Sequence, residues 1–245
     1  MPQLYDSIGE NYVDYRRPDP RIAATITKAL GEARSVVNIG AGAGSYEPAD
    51  RTVIAAEPSA TMILQRAADA APVICASAME LPFRQNAFDA TLAIFTVHHW
   101  PDRMRGLSEM RRVAKRAVIL TWEPSTSASW LTRDYFPEIL TYDRTLFPLA
   151  SEFYGRVFEQ IEIVPIPIPR DCTDGFLEAY WSRPEAYFDA GVRRAISAFA
   201  RISDVEAGLA RLQRDLDDGT WARRNAHLLE LAELDLGYRL VIARC

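Results

Sequence analysis

Residues 36–44 read VVNIGAGAG, and this stretch decides the fold of the chain. An apolar run of the kind that forms a buried strand leads directly into three glycines at alternate positions. Glycine adopts positive φ angles and allows a ligand to lie against bare backbone. Ligands of open α/β sheets bind at the carboxyl ends of the strands. The stretch therefore predicts a first strand followed by a loop that binds a nucleoside.

An acidic residue follows the glycine loop at the end of the next predicted strand. Residues 52–56 are apolar, and Glu57 comes directly after them. We expect the Glu57 carboxylate to accept hydrogen bonds from both ribose hydroxyls. The dinucleotide fingerprint G-x-G-x-x-G requires glycine at position 45, where this chain has Ser45. The spacing therefore favours S-adenosylmethionine over NAD, and a tight turn without a ligand is the alternative.

Short apolar runs alternate with helical patterns through the first half of the chain. We predict strands at 73–76, 88–95 and 116–122, and helices at 21–31 and 102–113. Strands that alternate with helices in this way predict a parallel sheet with both faces covered.

The second half of the chain has a different pattern. Residues 157–168 predict a strand at a sheet edge, because prolines occupy alternate positions from 165 to 169. Residues 173–236 have helical spacing throughout, and residues 238–243 predict a last strand. A length of 245 residues suits one large domain and is short for two independent ones. We therefore expect a single domain, 1–245, with an N-terminal lid segment, 1–20, and a helical block, 173–236.

The composition argues against several classes of partner. The net charge of −5 lacks the basic footprint of nucleic-acid binding. Four basic residues between 111 and 116 suit a solvated helix face. No apolar run approaches the roughly 20 residues of a membrane span. The three cysteines are far apart and form no metal or disulfide pattern. We expect a cytoplasmic protein without a metal, nucleic-acid or membrane partner.

Taken together, these motifs resemble the class I S-adenosylmethionine-dependent methyltransferases, in particular the small-molecule, type 11-like branch. The glycine loop is similar to the family's first motif, and Glu57 to its ribose-binding acid. Residues 76–83, ASAMELPF, resemble the segment beside the adenine, and residues 88–100 resemble the fourth strand and its following loop. The likeness covers residues 5–122 through motifs and the two late strands through topology.

The resemblance implies an α/β, Rossmann-like sheet of seven mostly parallel strands, with an antiparallel last strand and helices on both faces. It places the helical block between strands six and seven as a lid, which covers a substrate pocket or only packs. It implies a cofactor, S-adenosyl-L-methionine, and in-line methyl transfer to an O, N or C atom of a small molecule. The expected cofactor-binding residues are Asn38, Gly40, Ala41, Gly42, Gly44, Glu57, Pro58, Met62, Ser77, Ala78, Met79, Thr96, Tyr5, Tyr15 and Arg16.

Three positions depart from the family pattern. Asn38 and Ser77 stand where the family usually has acidic residues, and residues 114–116 replace a Pro-Gly-Gly turn. An amide at position 38 is expected to hold the amino-acid end of the cofactor more weakly. Arg16 is expected to bind the cofactor carboxylate with its guanidinium fork, and an exposed salt bridge is the alternative.

Candidate catalytic and substrate-binding residues follow from the same alignment of motifs. His98 and His99 come where strand four ends, and histidine titrates near neutral pH, so either is a candidate general base. The alternative is that one contacts the cofactor or packs under it. Trp100, Trp122 and Trp181 are expected to line an aromatic substrate pocket, with core packing as the alternative.

Two further functions compete with methyl transfer. Asn38 and Ser77 leave open a protein that binds the cofactor without turnover. An NAD-dependent oxidoreductase is the second rival, and Ser45 and the antiparallel last strand argue against it. Turnover of labelled cofactor with any acceptor excludes the first rival, and binding of adenosylhomocysteine against NAD separates methyl transfer from the second.

Overall fold

In a computed structural model that describes residues 12–124 and 129–245, a seven-stranded sheet forms the centre of the molecule. Its strands are β1 (Ser35–Ile39), β2 (Thr52–Ala56), β3 (Val73–Ile74), β4 (Phe88–Ile94), β5 (Ala114–Trp122), β6 (Gln160–Pro165) and β9 (Tyr238–Arg244). They lie in the order β3-β2-β1-β4-β5-β9-β6. Strands β1 to β5 are parallel, and β9 runs antiparallel to both of its neighbours. The predicted sheet, including its antiparallel last strand, is confirmed.

Helices cover both faces of the sheet, as the sequence predicts. The first four are α1 (Tyr12–Tyr15), α2 (Pro20–Leu30), α3 (Ala60–Leu64) and α4 (Arg103–Val113). Neighbouring side chains of a strand point to opposite faces. Val118 therefore packs in the same core as α2, and Ile119 in the same core as α4. Among the described residues, no helix is both long and apolar enough to cross a membrane.

The helix ends follow from the local sequence. The Asp19 carboxylate accepts a hydrogen bond from the Arg21 backbone N–H, and Pro20 occupies the first turn, where its missing N–H costs nothing. Helix α2 ends before Gly31, whose φ is +59°. Ser59 caps α3 in the same manner by accepting from the Met62 N–H. This cap fixes the turn that carries Glu57.

Strand β9 lies inside the sheet, between β5 and β6. Ile242 pairs with Val118 on one side, and Val241 pairs with Ile163 on the other. Strand β6 is consequently an edge strand, and it ends at Pro165, in agreement with the proline pattern.

Two insertions build a second layer beyond the carboxyl ends of the strands. We call their residues 129–154 and 166–237 the cap. Between β5 and β6 it contains a π-helix (Leu131–Tyr135), α5 (Pro137–Leu146) and α6 (Ala150–Tyr154). Between β6 and β9 it contains β7 (Ile168–Pro169), α7 (Ala190–Arg194), α8 (Val205–Asp217), α9 (Thr220–Leu229) and β8 (Glu233–Leu234). Strands β7 and β8 pair with each other.

The prediction of helix throughout residues 173–236 is wrong. Long helices begin only at Val205, and residues 173–183 form turns. Pro184 lacks an N–H, and Glu178 has a φ of +66°, so neither suits a continuous helix. Before Val205 the chain forms two 3₁₀ turns, Pro184–Phe188 and Phe199–Arg201, and one short helix between them.

Candidate active site

The glycine loop follows β1 and is held against β2. The Gly40 N–H donates to the Ala56 carbonyl over 2.8 Å, and Gly40 has a φ of +64°. A Cβ atom at Gly40 would lie 2.0 Å from the Thr96 hydroxyl oxygen. Gly42 and Gly44 also have positive φ angles, of +53° and +98°. The loop thus needs glycine both for its backbone shape and for the close approach of Thr96.

Glu57 is locked beside this loop by its own backbone surroundings. One carboxylate oxygen accepts from the Gly42 N–H and the other from the Ser59 N–H, each over 2.8 Å. Glu57 is only 6% exposed. A carboxylate that accepts charge-assisted bonds from backbone N–H groups is held in one orientation. The predicted link between the glycine loop and the acid is therefore present.

A first cleft opens beside Gly40 and Glu57. It is bordered by five other residues that the sequence predicts as cofactor-binding, namely Pro58, Ser77, Ala78, Met79 and Thr96. The Ser77 hydroxyl accepts from the Met79 N–H, which turns the segment toward the cleft wall. Thr96 closes the far side, and its hydroxyl accepts from the Trp100 indole N–H. Trp100 therefore borders this first cleft together with Thr96.

A second cleft adjoins the first at Gly40 and Thr96. Asn38, Ala41, Gly42 and Arg16 border it. Three other predicted residues lie elsewhere: Met62 packs against Gly42, Gly44 lies beside Arg66, and the Tyr15 hydroxyl packs against Gly191 of the cap. Tyr5 lies outside the described residues.

Arg16 is buried and forms an ion pair with the cap. Its Nε donates to Asp174 over 2.6 Å, and its side chain is 7% exposed. The hydroxyl of Tyr46 donates to the same carboxylate. The alternative of an exposed salt bridge is wrong, because both charges are shielded from water. Arg16 borders both the second cleft and the cavity described next, so it stands at their junction.

An aromatic cavity adjoins the second cleft at Arg16 and Phe95. Its aromatic walls are Phe95, Trp122, Phe147, Phe176 and Tyr238. The Trp122 indole N–H donates to the Leu236 carbonyl, which holds the ring against the cap. Trp181 lies outside this cavity, in the cap core, where it is 1% exposed and donates to the Ile168 carbonyl. Of the three predicted tryptophans, the structure places only Trp122 beside this cavity.

The two histidines face different spaces. His98 borders the aromatic cavity and lies 4.5 Å from Phe147 between ring centroids, whereas His99 borders the first cleft. Burial lowers the pKa of His98 well below its ordinary value, and His99 and nearby arginines add to this. Burial and the charge of Arg201 lower the pKa of His99 to about 3. Both rings are neutral at physiological pH, and both are weak bases.

A carboxylate and a guanidinium that the sequence analysis does not single out also reach the aromatic cavity. Asp143 comes from α5 and Arg201 from the last 3₁₀ turn of the cap. Arg201 Nη1 lies 3.7 Å from Asp143 Oδ1. Burial raises the pKa of Asp143 to about 6, and the charge of Arg201 opposes that shift. No local motif marks either residue, because their proximity depends on how two separate insertions pack.

Comparison with known proteins identifies the family. A family model described as a methyltransferase domain matches residues 37–121. One solved structure is that of a protein from Anabaena variabilis ATCC 29413, assigned as a methyltransferase from an antibiotic biosynthesis pathway. The sequence of that protein is 32% identical to this chain. The match covers 94% of this chain and 99% of that protein, with a TM-score of 0.86. The chain belongs to the class I S-adenosylmethionine-dependent methyltransferases. The predictions of family, enzyme class and cofactor are confirmed.

Two further proteins are similar to this methyltransferase. A tRNA (carboxymethyluridine(34)-5-O)-methyltransferase from Schizosaccharomyces pombe is 25% identical over 117 residues, which are 47% of this chain and 51% of that protein. The chain thus matches about half the length of this curated relative. Phosphoethanolamine N-methyltransferase 2 from Haemonchus contortus, solved with S-adenosyl-L-methionine, shares the fold at 16% identity and a TM-score of 0.54. That match covers 91% of this chain and 52% of that protein.

The amide at position 38 of this methyltransferase has a structural reason. Asn38 Nδ2 donates to Glu47 over 3.1 Å, and Glu47 forms a buried ion pair with Arg66. Arg66 in turn donates to the Gly42 carbonyl of the glycine loop. An acid at position 38 would face the Glu47 carboxylate, so the departure from the family pattern removes a like-charge contact. Glu47 and Arg66 support the loop, and the sequence analysis does not identify them.

Proposed function

We propose that this methyltransferase transfers a methyl group from S-adenosylmethionine to a small-molecule acceptor. The observation that carries the proposal is the position of Glu57, whose carboxylate is fixed by Gly42 and Ser59 at the edge of the first cleft. This arrangement fits the ribose of an adenosine. The glycines with positive φ angles leave bare backbone beside it, and a Cβ atom at Gly40 would collide with Thr96.

The two clefts and the cavity suggest how the parts of the site divide their roles. We assign the adenosine to the first cleft and the amino-acid end of the cofactor to the second, near Asn38 and Arg16. When bound, S-adenosylmethionine supplies an electrophilic methyl group on a positively charged sulfur. The aromatic cavity, which meets the second cleft at Arg16 and Phe95, then receives the acceptor. Alignment of bound reactants supplies much of the catalysis in such a displacement.

The small volume of the aromatic cavity supports a small acceptor. That volume is about 60 Å³, and cap residues form one side of the cavity. A macromolecular acceptor would have to insert a single group past the cap. The net charge of −5 also gives little attraction for a polyanion. We therefore favour a small molecule over an RNA acceptor of the kind named for the Schizosaccharomyces relative.

Calorimetric binding of adenosylhomocysteine tests the cofactor assignment. Glu57→Gln removes the negative charge, and loss of charge-assisted hydrogen bonds worth about 1.5–3 kcal/mol weakens binding by about ten- to a hundred-fold. Glu32→Gln, at an exposed position just after α2, is the matched control and is expected to bind as the unaltered protein does. Equal affinities of both variants, at equal melting temperature, would show that Glu57 has no role in binding.

Turnover of methyl-labelled S-adenosylmethionine tests the reaction. The panel contains small hydroxyl, amine and carbon acids, together with bulk tRNA. Labelled product from a small molecule, with none from tRNA, supports the proposal. Binding without turnover on any acceptor would favour a protein that only binds the cofactor, and tight binding of NAD would favour the oxidoreductase.

A further inference from the structure

We propose that Asp143 and Arg201 together bind the acceptor, that the acceptor is a phenolic hydroxyl, and that Asp143 accepts its proton. This inference rests on the proposed methyl transfer and names the substrate class for the aromatic cavity. It assigns acid–base chemistry to a carboxylate of the cap, in place of the two histidines that the sequence suggests.

The position of Asp143 is the first observation. Its side chain is buried, and the residue is 2% exposed, yet it borders the aromatic cavity. Among the described residues, no donor lies within hydrogen-bond distance of its Oδ1 atom. Arg201 Nη1, at 3.7 Å, is too far for a hydrogen bond. A buried carboxylate oxygen without a donor is costly, so a ligand that donates to it gains binding energy.

The Asp143 carboxylate accepts hydrogen bonds and the Arg201 guanidinium donates them, and this pair favours a hydroxyl as the ligand. A hydroxyl donates to Asp143 Oδ1 and at the same time accepts from the Arg201 guanidinium. An ammonium group has only donors, and it would meet the positive charge of Arg201 and of Arg16, which borders the same cavity. A carboxylate has only acceptors and would be repelled by Asp143. Of these three groups, only the neutral hydroxyl satisfies both side chains.

The walls of the cavity favour an aromatic carrier for that hydroxyl. Five aromatic rings surround the space, and Phe95 and Phe176 lie 5.1 Å apart between centroids. Aromatic rings pack against one another in tilted and edge-to-face arrangements, which adds to the burial of apolar surface. The volume of about 60 Å³ admits the hydroxyl-bearing edge of one ring, and a larger acceptor requires the cap to move.

The proton balance of the step is simple. The acceptor oxygen forms a bond to the methyl carbon as the carbon–sulfur bond breaks, and the sulfur keeps the electron pair. The hydroxyl proton passes to the Asp143 carboxylate and from there to water. Arg201 stabilises the negative charge that develops on the oxygen.

The charges around Asp143 agree with this role. Burial raises the pKa of Asp143 to about 6, which is closer to neutral pH than the pKa of about 3 for His99. A general base works best when its pKa is near the operating pH. The titratable and charged groups that face Asp143 or share its cavity are Arg201, Arg16, His98, Glu178 and Tyr238.

Binding of simple aromatic probes gives a test that does not depend on turnover. The probes are phenol, toluene and benzylamine, titrated onto the complex with adenosylhomocysteine and followed by calorimetry. Phenol is expected to bind about ten-fold or more tightly than toluene, since the pair of hydrogen bonds is worth at least one charge-assisted bond. Asp143→Asn and Arg201→Gln each reduce that preference. Asp217→Asn, at an exposed position of the same cap, leaves it unchanged.

The rate of methyl transfer gives the second readout. Asp143→Asn is expected to lower kcat/KM for a phenol by about 10²- to 10⁴-fold, the usual contribution of a general base. In the unaltered protein kcat/KM falls below about pH 6, because Asp143 becomes protonated, and this acidic limb is absent in the variant. A purely structural role predicts instead a lower melting temperature with an unchanged pH profile.

The outcomes separate this inference from the proposed function. Tight binding and methylation of benzylamine, or an unchanged preference for phenol in Asp143→Asn, would overturn the inference and leave methyl transfer standing. Absence of adenosylhomocysteine binding would overturn the proposed function itself.

Discussion

Two glycines with similar positive φ angles have different reasons to be glycine. Gly31 ends α2 with a φ of +59°, and Gly40 begins the ligand loop with a φ of +64°. A Cβ atom at Gly31 would meet only the tip of Arg116, at 3.5 Å, whereas at Gly40 it would collide with Thr96. The first position requires only a backbone angle, and the second also requires space.

This difference predicts separate effects for two matched substitutions. Gly31→Ala is expected to cost about 1–3 kcal/mol of unfolding free energy, from backbone strain, and to keep the affinity for adenosylhomocysteine. Gly40→Ala adds a steric clash and is expected to abolish detectable binding. Denaturant unfolding and calorimetry on both variants check this. Binding by Gly40→Ala with normal affinity would show that Thr96 does not constrain the loop.

At the residue scale, the sequence identifies those site residues that belong to a local motif. The glycine loop and Glu57 are recognisable because the spacing of a strand, a turn and an acid fixes their geometry. Asp143 and Arg201 are not recognisable, since 58 positions separate them and each lies on a different insertion. The histidines illustrate the same limit, because their pKa values depend on burial that no spacing reveals.

At the scale of elements, helix α2 is attached to the cap through its own N-terminal capping residue. Asp19 caps this helix and also accepts from the Thr173 N–H over 3.2 Å. Burial raises the pKa of Asp19, but hydrogen bonds from Arg21 and Thr173 outweigh it and lower the pKa from 3.8 to about 2. A lowered pKa in an acid means that the charged form stabilises the fold. That stabilisation is present above about pH 4 and is lost as the pH falls toward 2.

Asp19→Asn is therefore expected to destabilise the protein in a pH-dependent way. The cost is about 1–2 kcal/mol at neutral pH, because the ion pair with Arg21 is lost while Asn still caps the helix, and it shrinks on acidification below pH 4. Urea unfolding across that range measures it. Asp171→Asn removes the other, exposed partner of Arg21 and is the control, for which no comparable loss is expected. A loss that is independent of pH would contradict the assigned pKa.

Helices and strands are predicted well from sequence where the residues that begin or end them lie within the local sequence. Helices α2 and α4 begin at caps, Asp19 and Asp102, that are visible in the sequence. The segment 131–154 has Pro137 as its one helix-start signal, and its pattern alone predicts no helix. There the π-helix and α5 lack a side-chain cap, so their position depends on packing against the rest of the cap.

On the scale of the whole molecule, the two insertions of the cap pack closely against each other at one glycine. Gly208 lies in α8, and a Cβ atom there would meet Phe136 at 2.2 Å and the Tyr135 carbonyl at 2.8 Å. Phe136 is fully buried. The absence of a side chain at position 208 therefore allows the β5–β6 insertion to pack against the β6–β9 insertion.

Gly208→Ala is expected to reverse the usual effect of this substitution. Alanine in a helix interior normally stabilises by about 1 kcal/mol over glycine, but overpacking here costs about 1–3 kcal/mol. Hydrogen exchange should show faster exchange in the cap and little change in β1 and β4. Ala210→Gly, on the exposed side of α8, serves as the comparison and costs about 1 kcal/mol. A stabilised Gly208→Ala variant would show that the contact is loose.

The place of β9 in the sheet has a consequence for how the chain is made. Each of the strands β2 to β5 pairs with a strand that has already been synthesised. Strand β6 pairs with none of these five strands and has β9 as its partner. Some seventy residues of cap separate the two strands, so β6 has no strand partner until residues 238–244 have been synthesised. The half of the sheet that forms the glycine loop is thus able to assemble during translation, whereas the half that completes the aromatic cavity closes only afterwards.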